Sequence, residues 1–111
     1  MSDTITLPAP PSLQPKEEEH VRRQPPYHVI LLNDDDHTYQ YVIVMLQQLF
    51  GYQPEKGYQM AYEVHTRGKV IVATTTLEHA ELKRDQIHAF GPDPLIPRCK
   101  GSMSASIEPA Q

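Results

Sequence analysis

The segment Tyr27–Thr38, YHVILLNDDDHT, restricts the fold more than any other part of this chain. Val29, Ile30, Leu31 and Leu32 form a short, nearly continuous apolar run, the pattern of a strand covered on both faces. The run breaks off into Asn33-Asp34-Asp35-Asp36. A packed strand therefore carries a block of polar acceptors to a fixed point at its end. Those acceptors can cap a helix and close an Asx turn, or they can receive a cation. On these residues alone both uses stay open.

That strand has few partners to choose from. The chain has 111 residues, enough for one domain, and residues 1–24 hold almost no apolar mass. Pro8, Pro10, Pro11 and Pro15 are followed there by Lys16-Glu17-Glu18-Glu19, a composition that cannot bury enough surface to offset the entropy of ordering it. Residues 1–24 read as a disordered N-terminal arm, for solubility or as a tether to a larger partner, and 25–109 as the folding unit. Pro25-Pro26 stiffens the entry to it.

Thr38 reads as a helix N-cap, with Asp34–Asp36 just upstream where negative charge suits the positive helix end. Val42, Met45, Leu46, Leu49 and Phe50 make one stripe of an amphipathic helix, which Gly51 ends. Pro54 and Glu55 open a second helix, Met60, Ala61 and Val64 give it an apolar side, and Gly68 follows Arg67 as its stop. The link between the two helices is short, so they pack as a hairpin. Lys69–Thr76, KVIVATTT, is β-branched and reads as a strand. Thr75 and Glu78 have the form of a capping box, which starts a third helix near Leu77. It runs to about Ala89, where Gly91-Pro92-Asp93-Pro94 stops it, and its thin apolar face leaves much of it to water or a partner. Leu95-Ile96-Pro97 reads as extended, and Met103, Ala105 and Ile107 alternate with serines as a half-exposed strand before Pro109. The order β-α-α-β-α-β makes an α+β fold, a small two-layer sandwich with a three-stranded, mainly antiparallel sheet and three helices on one side.

Composition narrows the function. Net charge is −4 and the ten basic residues are scattered, so no nucleic-acid partner is expected. No apolar run approaches the roughly 20 residues that cross a bilayer, and no secretory signal is visible. Cys99 is the single cysteine, so no intrachain disulfide can form. These features point to a cytoplasmic protein with no membrane partner. The aspartates with His28, His37 and His65 show no metal-ligand spacing, so neither a metal nor another cofactor is expected. No paired acid or activated nucleophile is evident, so there are no catalytic residues and no enzyme. His65, beside Val64 near a helix end, reads in isolation as a satisfied core or edge histidine, and the tyrosines as amphipathic rim.

Taken together, PPYHVILLNDD, the helix with VIVMLQQLF, then MAYEVHTRGK and the β-branched strand resemble the ClpS family, adaptor proteins of the ATP-dependent Clp protease. The resemblance runs without gaps over about Pro25 to Phe90. It implies a domain that recognises bulky destabilising N-terminal residues and hands the substrate to the N-terminal domain of a Clp AAA+ unfoldase. The alternative is a plain protein–protein docking module on the same fold. The family's amino-group ligands match Asn33, Asp34 and His65, a set suited to a compact cation with up to three donors, provided that His65 is neutral. The side-chain pocket falls on Asp35, Tyr39, Val42, Ala61, Val64 and Met103, with Leu95 the alternative to Met103. Unfoldase docking falls on Glu78 and Lys83 of the third helix. The sequence departs from the family where a Thr-Pro pair and two pocket methionines give way to His37-Thr38, Tyr39 and Ala61. Ala61 would widen the pocket unless Tyr39 fills the space it leaves.

Overall fold

The computed structural model describes residues 24–97 and 99–110, so nearly all of the expected arm lies outside the described residues. Six elements follow in the expected order: β1 (Tyr27–Leu32), α1 (Tyr39–Phe50), α2 (Pro54–Arg67), β2 (Lys69–Thr75), α3 (Leu77–His88) and β3 (Ser104–Pro109). The strands form one sheet in the order β2-β1-β3, with both pairings antiparallel.

β1 is central, and that explains its apolar run. Val29 and Leu31 join Val70 and Val72 of β2 and Ala105 of β3 in a core completed by the helices, chiefly Val42, Met45, Leu46, Ala61, Val64, Ala80 and Ile87. Ile30 points the other way and is still buried, flanked in register by Ile71 and Ser106. The β1–β2 register steps from Val29↔Ala73 to Ile30↔Ile71, which leaves Val72 as an extra residue on β2. Such a bulge turns two consecutive side chains to one face. Val72 is accordingly buried in the core, and Ala73 packs against it.

α1 and α2 pack on each other as the expected hairpin, and α3 lies across β1 and β3. The hairpin is close at Gly57, where an added Cβ would sit 3.2 Å from the Ile43 Cα. Gly51 ends α1 in the left-handed region with φ 74°, its N–H bonding Gln47 O at 2.9 Å. At the far end of α3, His88 Nε2 accepts from the Ala105 N–H at 3.0 Å, covering one backbone donor on the edge strand. The two ends of the described fold are fastened together, since the Ala110 N–H donates to Pro26 O at 2.8 Å.

Two local expectations are corrected. The N-cap of α3 is Thr76 rather than Thr75: its hydroxyl accepts from the His79 N–H at 3.2 Å, while Thr75 is still paired with Tyr27 in the sheet. Leu95-Ile96-Pro97 is not extended but turns, because Asp93 Oδ1 takes the Leu95 N–H at 2.9 Å and Asp93 O takes the Ile96 N–H at 3.2 Å. β3 ends at Pro109 as expected, and that last residue pairs with Tyr27. Proline is tolerated there because β3 is an edge.

Gly57 gives a stability test. Gly57→Ala should be near neutral, since the helix-propensity gain of about 1 kcal/mol offsets the tight contact. Gly57→Val should cost about 1–3 kcal/mol by overpacking, read from urea unfolding. Equal stability of the valine variant and the parent would show that the hairpin is looser than this contact implies.

Candidate functional site

The site is built where β1 ends. The Asn33 N–H donates to Gly68 O at 2.9 Å, so the chain leaving β1 is pinned to the residue that caps α2. His65 lies in the last turn of α2. One backbone hydrogen bond therefore brings the Asn33–Asp36 block and His65 to the same end of the molecule, a meeting that spacing alone did not guarantee.

His65 is held in a definite state. Its Nδ1 lies 3.0 Å from Ala61 O, a pure acceptor, so Nδ1 carries the hydrogen and Nε2 of the neutral ring is left as an acceptor. The ring packs against Tyr39, with centroids 4.6 Å apart, and Tyr39 in turn meets Tyr58 at 5.4 Å. Beneath this half-buried rim, Val42, Ala61, Val64 and Met103 are almost fully buried and belong to one cluster. The structure thus brings together Tyr39 and His65 at the surface and four of the expected apolar lining residues below. Leu95, the alternative to Met103, is exposed and lines a separate apolar groove of about 400 Å³ with Tyr41, Val44 and Phe90. Asn33 and Asp35 are exposed.

Asp34 has a partner that the sequence did not reveal. His37 is buried, and its Nδ1 lies 2.7 Å from Asp34 Oδ1 and 2.9 Å from Oδ2. Asp34 Oδ1 also accepts the Asp36 N–H at 2.9 Å, closing an Asx turn. Capping and site-building thus coexist in one polar block.

A second buried acid fixes the start of α1. Asp93 Oδ2 accepts the Thr38 N–H at 2.7 Å and the Thr38 hydroxyl at 2.9 Å, while the Thr38 hydroxyl accepts the Tyr41 N–H at 3.1 Å. Thr38 is the expected N-cap, and Asp93, bonded directly to it, adds negative charge at this helix end. Burial alone would raise the Asp93 carboxyl. The N–H groups of Thr38 and Leu95, the Thr38 hydroxyl and the charge of His37 outweigh it and hold the carboxyl below the ordinary carboxylate range. Tyr41 is buried outside the apolar stripe, and its hydroxyl donates to Gly91 O at 2.5 Å. Burial pushes this phenol above its usual value. The signal for Asp93 was present in Gly91-Pro92-Asp93-Pro94, an acid held between two prolines, but its partner lies far away in sequence.

On α3, Glu78 is exposed in the first turn. Lys83 is anchored within the fold: its Nζ donates to Leu49 O at 2.5 Å and sits 5.3 Å from the Phe50 ring centroid. It satisfies a carbonyl at the C-terminal end of α1, where a cation is favoured. Among the described residues no group of His, Cys, Asp and Glu is placed to hold a metal ion, and no helix is long and apolar enough to cross a membrane.

Known proteins resemble this chain in sequence and fold. A family model described as ATP-dependent Clp protease adaptor protein ClpS matches residues 22–95. The ATP-dependent Clp protease adapter protein ClpS of Rhodococcus jostii (strain RHA1) is 29% identical over 89 residues, covering 77% of this chain and 80% of that protein. The ClpS adapter of Xylella fastidiosa (strain M12) is 44% identical over 50 residues, 45% of this chain and 47% of that one. Among solved structures, Agrobacterium tumefaciens ClpS2 bound to L-phenylalaninamide superposes with a TM-score of 0.68 at 26% identity, over 79% of this chain and all of that one.

The depressed Asp93 carboxyl sets a pH dependence. Its folded value lies below its unfolded one, so its contribution is present above the unfolded carboxylate range and is lost as pH falls through the folded value. Asp93→Asn should cost about 1–3 kcal/mol at pH 7 in urea unfolding, and this gap should shrink progressively towards pH 2. A gap that stays constant with pH would mean that the carboxylate charge is not what stabilises the α1 terminus.

Proposed function

This chain belongs to the ClpS family of adaptor proteins of the ATP-dependent Clp protease, and we propose that it binds protein substrates by their first residue, through a free α-amino group and a bulky apolar side chain. It serves the protease as an adaptor and is not itself the protease. The observation that supports the proposal is the Asn33–Gly68 hydrogen bond, which ties the start of the polar block to the cap of the helix whose last turn carries His65.

In this reading the Asn33 side-chain amide oxygen, an Asp34 carboxylate oxygen and His65 Nε2 receive the ammonium of the substrate. Each is an acceptor, and the His65 bond to Ala61 O keeps Nε2 the acceptor for as long as the ring is neutral. Protonation would replace that acceptor with a donor and place a cation against a cation. Tyr39, Val42, Ala61, Val64 and Met103 receive the side chain, with Asp35 at the mouth. L-phenylalaninamide, the molecule bound to the Agrobacterium relative, joins a free amino group to an aromatic side chain, and this is the chemistry the two halves of the site suit. Tyr39 stands over His65 and Tyr58, so its ring sets the space above the small Ala61.

Burying one apolar side chain contributes roughly 1.5–3 kcal/mol. Each charge-assisted hydrogen bond contributes roughly 1.5–3 kcal/mol more, less several kcal/mol for association. The balance corresponds to binding at about micromolar strength, appropriate for cargo that must be released. Delivery to the N-terminal domain of a Clp AAA+ unfoldase uses the exposed side of α3, with Glu78 at its start; Lys83 contributes there by holding α3 against α1.

The test is a calorimetric titration with L-phenylalaninamide, its leucine, tyrosine and glycine counterparts, and the N-acetylated form of each. Free phenylalanine, leucine and tyrosine amides should bind, the glycine amide should bind far more weakly, and acetylation should abolish binding. Asp34→Ala should weaken the free amides several-fold or more. Equal affinity for free and acetylated ligands would replace this reading with that of a plain docking module.

A further inference from the structure

His37 stands where the family usually has threonine, and its surroundings give it a task of its own. Both ring nitrogens face groups that can only accept: Nδ1 faces the Asp34 carboxylate at 2.7 and 2.9 Å, and Nε2 faces Gly101 O at 2.8 Å. A neutral imidazole has one N–H and can satisfy one side; the imidazolium satisfies both. The Tyr41 ring packs on the imidazole with centroids 4.5 Å apart, and the Cys99 thiol, 3.3 Å from Nε2, can send its own hydrogen to Gly101 O at 3.2 Å, which leaves Nε2 to donate to the same carbonyl. The ring is only 3% exposed and Asp34 is 35% exposed, so the cation is interior and its carboxylate partner reaches the surface.

The lone pairs of Asp34 show the consequence. Oδ1 is filled by the Asp36 N–H and His37 Nδ1, while Oδ2 shares the same Nδ1–H at longer range. Of the roughly four acceptor positions of a carboxylate, the open one is on Oδ2, and the ring prevents the carboxylate from rotating to present another. We propose that His37, as an imidazolium, is a positioning residue for the amino-group site: it locks Asp34 with Oδ2 turned to the ligand and ties that lock to the Gly101 loop ahead of β3. The proposal rests on the amino-group reading above. A threonine at this position could donate one hydrogen bond but could not reach both the carboxylate and the loop with donors.

Two measurements test it. The first is the ring ¹⁵N spectrum of His37 in the wild-type full chain at pH 7, where both nitrogens should carry protons. A single protonated nitrogen overturns the proposal. The second is calorimetry with L-phenylalaninamide in a double-mutant cycle of His37→Gln and Asp34→Asn. The two-sided lock is worth about tenfold in affinity, 1.4 kcal/mol. His37→Gln should therefore weaken binding about tenfold in the parent and leave it unchanged in the Asp34→Asn background. An equal loss in both backgrounds would make His37 a general structural residue, and no loss in the parent would remove it from the site; either result overturns the positioning role. If the Gln variant does not fold, the ring spectrum alone decides. Equal binding of phenylalaninamide and its N-acetyl form by the wild-type chain would remove the amino-group reading itself, and the positioning role with it, whatever the ring signals show.

Discussion

A strand paired along both edges cannot slide, because a slip of one residue would turn Val29 and Leu31 out of the core. Everything at the site inherits that constraint. The last residue of β1 is fixed by β2 on one side and β3 on the other, and the Asn33 N–H then continues onto Gly68, so the polar block begins at a point with no freedom along the sheet. The β2 bulge adds to this, since it lets Val72 and Ala73 both pack inward and keeps the core filled up to the edge that supports α2.

The polar block is organised by charge placed at three depths. Asp93 is sealed inside and spends its carboxylate on the α1 terminus. His37 lies behind Asp34, so the buried ring meets a carboxylate on one side and the Gly101 carbonyl on the other, as buried polar groups require. Asp34 is the outermost member, and the residues behind it have already fixed its orientation. In the proposed site, Asp34 is thus an acceptor that needs no reorganisation on binding, which lowers the entropic cost of association.

Much of the fold was legible in the sequence because its signals are local. The glycines at 51 and 68, Pro54 at the start of α2, Thr38 at the start of α1 and the β-branched run of β2 each act on their own neighbours, and each stands where its chemistry predicts. The errors were local ambiguities of the same kind. Thr75 and Thr76 can both cap a helix, and pairing with Tyr27 decides which one does. Leu95–Pro97 looked extended until Asp93 supplied the turn. The family resemblance names candidate site residues, but the partners that hold them are hidden from it. His37 with Gly101, Asp93 with Thr38 and Lys83 with Leu49 each join residues that only the tertiary fold brings into contact, and neither spacing nor periodicity carries that information.

The bond from Ala110 to Pro26 has a practical meaning. It gathers the entry to β1 and the exit from β3 at one pole of the sheet, while Asn33 and His65 occupy the other. Six strand residues separate the poles, about 20 Å at strand rise. A fluorophore, affinity handle or surface linker joined beside either Gln24 or Ala110 would stand at a distance from the pole that carries Asn33 and His65, which leaves that pole unobstructed in an immobilised or labelled molecule.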